Sequence, residues 1–393
     1  MSTHINPRIV PRDGDDLNIK YRPLRFGELY GPTRRSAVQF YNWLVTSDRK
    51  LTKHSFLISG ESGTGKTTLA LIVSLSMNCE NPLPNPKTGD KIEPCLKCNS
   101  CKRILYNAMS NPYDSPVRFY NSPSIDKDQI RTIIANDITG PKPIYRPNVV
   151  VTIFDEAHGL TWEQRQPLLT TLESMPSYSY VFFLTSRPDK FIKIKNGSDK
   201  ALFSRISVID LKPWSVQEIE ELLRDIAYVE HDTFQRPKIS SDALNYLAQI
   251  GDGNPRQAVS ALDMVLNGTN GETVFEITLE HVKRFYPGVM AEIDPEKNEE
   301  LGPIFRAFYN NDVRSLLNKL EELEKNGYPA EQLKYVINKF LRNRVYQYSR
   351  EGNDAKLQEF MMKLYAFSHY AFSPAGEEYS NLVTGCIRAL QRN

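Results

Sequence analysis

The segment Gly60-Glu61-Ser62-Gly63-Thr64-Gly65-Lys66-Thr67 gathers three glycines, a lysine and several hydroxyls into a stretch too bare to build a core. Its chemistry is phosphate binding. Glycines let backbone N–H groups converge on phosphate oxygens, and a following helix adds the positive end of its dipole. Lys66 is placed to reach β- and γ-phosphates, and the Thr67 hydroxyl, with Thr68 beside it, to hold Mg²⁺. The complete G-x-x-x-x-G-K-[ST] pattern predicts an ATP-binding loop rather than an incidental glycine turn.

Asp155-Glu156 closes the apolar run VVVTIF. Alone, such a pair is also what a helix cap looks like. Behind a phosphate loop it suits hydrolysis, with Asp155 in the magnesium shell and Glu156 polarising the attacking water. Thr185 ends the next apolar run, where a hydroxyl can touch a γ-phosphate or orient water. Arg205 follows Ser204 ahead of a short strand, and Arg256 opens a helix in GDGNPRQAVSALD. An arginine at a helix N-terminus opposes the dipole, so an anionic partner would explain Arg256. On their own, both arginines read equally well as solvated charges.

Cys95, Cys98 and Cys101 crowd into PCLKCNSCK, Cys79 lies upstream, and Cys386 stands far away. In a reducing compartment the cluster reads as metal ligation rather than disulfides. Three thiolates plus Cys79 make a closed tetrahedral Zn²⁺ site, which is structural rather than catalytic. Cys79 is the ligand that the spacing leaves open.

These residues need elements to position them. SFLISG (55–60), the loop and TTLALIVSLSMN (67–78) read as strand, loop and helix. The Pro/Asn/Gly-rich stretch 80–94 predicts irregular structure. VRFYN (117–121) predicts a strand, and SIDKDQIRTIIANDI (124–138) a helix capped by Ser124. NVVVTIFDEAH, YVFFLTS and SVIDLK supply further strands, and TWEQRQPLLTTLESM a helix interrupted by Pro167. Strand and helix alternate, which argues an α/β fold with a parallel sheet and flanking helices. After Trp214 strand signals stop. The expected organisation is a loose segment 1–17, an α/β ATPase domain 18–213 with a zinc insertion at 79–101, a helical domain 214–292, and an all-helical domain 298–393.

Apolar residues make up 40% and charged residues 24% of the 393 residues, enough to bury real cores. A net charge of +2 announces no global nucleic-acid surface, so any basic contact must be local. Neither a membrane span nor a signal-peptide run is visible, and the expected location is cytoplasmic, the host's cytoplasm if the chain is viral.

With these motifs in order, the chain resembles the ATPase subunits of sliding-clamp loaders. These are AAA+ proteins, and the bacterial-type gamma/tau subunit or a viral or plasmid relative of it is the nearest pattern. Lys20-Tyr21-Arg22-Pro23 and FGELYG resemble the family's N-terminal box against the adenine. The phosphate loop, the cysteine insertion after its helix, DEAH, QPLLTTLESMP and FFLTSRPDKF follow in family order. Ser204-Arg205 stands where the family has Ser-Arg-Cys, with Ile206 in the cysteine's place. GDGNPRQAVSALD is similar to the sensor-2 helix. The resemblance weakens over 298–393, where only helicity and length suggest an oligomerising collar, with 214–292 as the lid.

The resemblance implies that Arg205 acts in trans on a neighbour's ATP and Arg256 in cis. It implies an oligomer, pentameric in the family, of this chain with copies or other loader subunits. It also implies a sliding clamp, primer–template DNA and single-stranded-DNA-binding protein as partners. Lys127, Arg131 and Arg165 match the helices that track the duplex backbone, a salt-sensitive contact without sequence preference. The implied activity is ATP-driven opening of a clamp and its loading on DNA. A DNA remodeller sharing the same motifs, or a nucleotide-gated adaptor without turnover, are the alternatives.

Overall fold

The computed structural model describes residues 10–14, 16–107, 115–140, 149–192, 205–268, 275–286, 301–325, 328, 330–371 and 378–390. The chain divides into two units, Met1–Thr278 and Leu279–Asn393. Ser204, the first nine residues and the expected domain junction at 292–298 lie outside the described residues.

The first unit is built on five parallel strands: β1 (Ser55–Gly60), β4 (Val117–Asn121), β5 (Val150–Asp155), β6 (Ser179–Thr185) and β7 (Ser207–Leu211), in the order β4-β5-β6-β1-β7. The continuous apolar runs of β5 and β6 are buried on both faces, as a helix-covered parallel sheet requires. Alternation within the strands sorts side chains into two layers. Phe56, Ile58, Phe182 and Leu184 join one core with Phe40, Leu69 and Ile72. Leu57, Val181 and Phe183 join the other with Phe154, Ile130 and Leu168. Phe56 stacks on Phe182 at 5.2 Å between centroids, and Phe154 on Phe183 at 5.4 Å, one pair in each layer.

This sheet fixes the site. All five strands point the same way, so the C-terminal ends of β1, β5 and β6 deliver Gly60, Asp155 and Thr185 to one edge. That edge is where open parallel sheets bind ligands. Ser59 sits in register with Thr185.

Three details differ from the sequence reading. The helix expected from Ser124 runs Lys127–Ile133 and passes into a π-turn, Ile134–Ile138. Its cap is Asp126, whose carboxylate accepts from Asp128 N and Gln129 N while Gln129 Oε1 accepts from Asp126 N. This reciprocal capping box outcompetes the lone serine. The stretch 80–94 is not wholly irregular, because β2 (Leu83–Pro84) and β3 (Lys91–Glu93) form an antiparallel hairpin. A parallel pair, β8 (Lys238–Ile239) with β9 (Glu276–Ile277), follows Trp214. Two-residue strands are too short to show alternation.

Also in the first unit, helices Val216–Phe234, Ser241–Gly251 and Pro255–Gly268 pack after the sheet. The first starts at a Ser215–Glu218 capping box. The second unit holds helices Leu279–Phe285, Gly302–Asn310, Val313–Lys325, Ala330–Glu351, Asp354–Ala371 and Glu378–Leu390. Phe305, Phe308, Phe340 and Phe360 lie in its core, which also buries Cys386. No helix among the described residues is long and apolar enough to cross a membrane.

Candidate functional site

Two of the loop's glycines show why it is bare. Gly65 caps helix Lys66–Asn78 at φ +103°, a conformation glycine adopts freely. A Cβ on Gly63, at φ +77°, would lie 2.0 Å from Asn254 Oδ1. Lys66 is 6% exposed, and its Nζ donates to the carbonyls of Gly60 (2.9 Å) and Glu61 (2.8 Å). Gly60 and Glu61 therefore hold the lysine, while Ser62, Gly63, Thr64, Gly65, Lys66, Thr67 and Thr68 line a cavity beside it. Thr33 Oγ1 donates to Thr64 O at 2.7 Å and fastens the loop from outside.

Asp155 and Glu156 stand on the same cavity wall. The Thr67 hydroxyl lies 3.4 Å from Asp155 Oδ2, so the two groups assigned to Mg²⁺ are already adjacent. Glu156 leaves β5 in the left-handed region, φ +49°, which turns its carboxylate out of the strand direction. Ser186 Oγ donates to Glu156 Oε2 at 3.1 Å, and His158 Nδ1 lies 3.2 Å from the same oxygen. His158 Nδ1 is also 3.1 Å from the buried Thr185 hydroxyl, which accepts from Arg187 N. Thr185 thus stands behind the cavity rather than on its wall, joined to Glu156 through His158. The sequence reading gave no role to Ser186 or His158, although both lie within the motif stretches.

The cavity has two chemical ends. Leu17, Tyr21, Pro23, Leu29, Tyr30, Trp214, Leu222, Ile226 and Val259 make an apolar end that suits a flat base. Arg22, Lys66 and Arg256 bring cations to the polar end, near Asp155 and Glu156. Burial holds Lys66 below its ordinary range, the two carboxylates oppose this, and Arg256 adds to it. Arg22 is lowered by burial and then by Arg256. Cations that repel one another in a half-buried cleft are a place for a polyphosphate. Tyr21 is 3% exposed and donates its hydroxyl to Glu230 Oε1 at 2.7 Å, where Lys20 Nζ also lands at 2.7 Å. Lys20-Tyr21 therefore ties the N-terminal box to helix Val216–Phe234.

Arg205 is not in this cavity. It precedes β7, whose Ser207 pairs with Phe56 near the start of β1, while the phosphate loop leaves the other end. β1 spans about 17 Å at the usual strand rise, so Arg205 occupies the opposite edge of the sheet. Its guanidinium meets the carboxylate of Glu173, a pair 30% and 53% exposed at the side chains. Exposed pairs of this kind contribute about 0–1 kcal/mol.

Lys127 and Arg131 lie on an exposed surface, where Lys127 Nζ meets Glu163 at 2.8 Å and Arg131 meets Asp128 at 3.6 Å. Arg165, grouped with them from the sequence, is 8% exposed. Its guanidinium donates to Leu160 O (2.9 Å) and Phe191 O (2.8 Å) and lies over the Phe191 ring. Arg165 braces the turn after β5 from inside, which leaves Lys127 and Arg131 as the accessible cations of that set.

The sulfur atoms of Cys79, Cys95, Cys98 and Cys101 all lie within 4.8 Å of one another. Tetrahedral Zn²⁺ with Zn–S bonds near 2.3 Å places its sulfurs about 3.8 Å apart, so the donor set fits. Cys79, at the end of helix Lys66–Asn78, completes it. Backbone N–H groups already point at sulfur: Cys95 N donates to Cys79 Sγ (3.2 Å) and Cys98 N to Cys95 Sγ (3.3 Å). The Cys101 thiol, donating to Cys79, pulls Cys79 down to about 5. The same bond pushes Cys101 up, and burial pushes Cys95 up. Four sulfurs this close ionise together only around a cation. Elemental analysis is expected to find about one zinc per chain, and chelation to lower the thermal midpoint. A metal-free chain with an unchanged midpoint would remove the structural role.

The family model described as "DNA polymerase III, delta subunit" matches residues 37–215. The DNA polymerase III subunit gamma/tau of Mycoplasma genitalium is 29% identical over 310 residues, 78% of this chain and 45% of that protein. The subunit tau of Bacillus subtilis is 26% identical over 321 residues, 81% and 49% of the two chains. The chain spans less than half the length of these relatives. A point mutant of RuvB from Thermotoga maritima superposes with a TM-score of 0.50 at 17% identity, covering 82% of this chain and 90% of that one. That likeness concerns the fold alone. The resemblance read from the motifs is the one found across most of the chain, which is similar in sequence to the gamma/tau subunits of DNA polymerase III.

Proposed function

We propose that this chain is an ATPase subunit of a DNA sliding-clamp loader. The observation that carries the reading is the four-cysteine module seated on the phosphate-loop helix of an AAA+-like pocket. That arrangement accompanies sequence similarity to gamma/tau subunits. In this reading residues 18–213 form the motor, with 79–101 as its zinc module, 214–292 the lid and 298–393 the oligomerising collar. Arg22, Lys66 and Arg256 neutralise the polyphosphate, the apolar end seats the adenosine side, and Thr67 with Asp155 hold Mg²⁺. Held by Thr67 and Asp155, the metal would supply charge to offset that developing on the phosphates. Glu156 orients the attacking water, and Thr185 reports on the γ-phosphate through His158.

ATP binding at junctions between subunits would open the clamp, and hydrolysis would release it closed around primer–template DNA. The partners are therefore the clamp, primed DNA and further loader subunits in a pentamer, with single-stranded-DNA-binding protein nearby and Lys127 and Arg131 against the duplex backbone. The decisive measurement is ATP turnover with primed DNA, with clamp, and with both. Stimulation that requires both supports the loader. Stimulation by DNA alone favours a remodeller, and absence of turnover favours an adaptor.

Arg205 gives a separate test. Arg205→Ala and Glu156→Gln chains, each nearly inactive alone, are expected to regain turnover when mixed, because an intact pocket of the first can then face the intact arginine of the second. Loss of an arginine finger costs about 10³ or more in rate. A mixture no more active than its two components would end the assignment in trans.

A further inference from the structure

The cysteine insertion reaches the nucleotide pocket through one buried carboxylate. Glu93 ends β3, two residues before Cys95, and is 1% exposed. Its Oε2 accepts from Phe26 N at 2.8 Å and its Oε1 from Gly27 N at 3.0 Å. Asn85 Nδ2, from the hairpin's own turn, donates to the same Oε1. The next residue repeats the link, because Pro94 O accepts from Arg25 Nε at 3.1 Å. Tyr41 OH donates to Asp90 Oδ2 at 2.7 Å, holding the hairpin against helix Gly31–Thr46.

The turn Phe26–Glu28 that Glu93 grips joins two stretches of pocket wall. Tyr21-Arg22-Pro23 lies before it and Leu29-Tyr30 after it. Leu24, Phe26 and Leu29 share one core with Ile92, Cys79, Cys95 and Cys101. The insertion is thereby fixed at Cys79 to the phosphate-loop helix and at Glu93 to the base-side wall. It spans the two halves of the cleft.

We propose that Glu93 is a positioning residue through which the metal-binding insertion sets the affinity of the pocket for adenine nucleotides. A cysteine cluster held by metal keeps Pro94 and Glu93 in place; Glu93 keeps the turn, and the turn keeps both walls at the spacing a base needs. Loss of the metal is then felt as weaker nucleotide binding, without any contact between metal and nucleotide. The inference rests on reading the cavity as a nucleotide site.

The test measures binding of a fluorescent ATP analogue to the full chain, together with zinc content. Glu93→Ala is expected to raise Kd by about ten-fold or more while retaining its zinc. Chelating wild type should produce a similar loss, and chelating the variant should add little to it. If wild type binds and Glu93→Ala binds within about two-fold of it, the inference is overturned. Should the alanine variant lose zinc or helicity, Glu93→Gln decides, because it keeps shape and one acceptor oxygen: a few-fold weaker Kd supports the link and an unchanged one overturns it. Failure of wild type to bind the analogue would instead overturn the nucleotide reading and the inference with it.

Discussion

Lys66→Ala is expected to abolish nucleotide binding. The ammonium is almost fully buried and sits at the mouth of the helix that begins with it, held by two loop carbonyls rather than by a carboxylate. It is free to exchange those carbonyls for phosphate oxygens with little rearrangement. Deleting one side of a buried charge interaction costs about 3–5 kcal/mol, which corresponds to roughly two to four decades in affinity. Asp155 and Glu156 would then face a triphosphate with only Arg22 and Arg256 to offset them. Calorimetric titration with ATP and Mg²⁺ checks this. Affinity close to wild type in a folded variant would mean that the cavity does not bind phosphate through this loop.

The second large effect belongs to Glu156→Gln, which is expected to bind ATP normally and hardly turn it over. The substitution keeps size and keeps an oxygen for the Ser186 hydroxyl. It removes the base that polarises water, a contribution of about 10²–10⁴ in rate. Single-turnover hydrolysis separates the two quantities, since binding and cleavage are read in one mixing experiment. Cleavage at the wild-type rate would reassign the water-activating group, and His158, 3.2 Å from the same carboxylate, would be examined next.

How much of this was legible in the residues depends on the range of the interactions involved. The phosphate loop and the strands that carry Asp155 and Thr185 were legible because glycine placement and continuous apolar runs are local signals. Arg165 shows that exposure is a tertiary property. Its sequence neighbours are polar, yet its guanidinium is consumed by the carbonyl of Phe191, a partner no local window contains. The helix starts at Asp126 rather than Ser124 because the reciprocal cap with Gln129 satisfies three backbone donors where one serine satisfies fewer. The bond from Tyr21 to Glu230 joins residues 209 apart, so the motif places Tyr21 near a base without revealing what holds it there. The cluster of Cys79 with Cys95, Cys98 and Cys101 lay between these cases. Three ligands were local, and the fourth needed the helix between loop and insertion to have its observed length.

A parallel sheet has a direction, and here the direction has been given two different ends. In the proposed reading the phosphate-loop edge would accept an arginine and the opposite edge, where Arg205 lies, would offer one. Copies that satisfy one another must therefore line up in single file, each facing the same way round, and two-fold face-to-face pairing satisfies neither. A file that closes on itself leaves nothing over. One that stopped short would leave a pocket lacking its arginine at one terminus and an arginine lacking its pocket at the other, so a gap in such a ring would also mark which subunit is first and which is last.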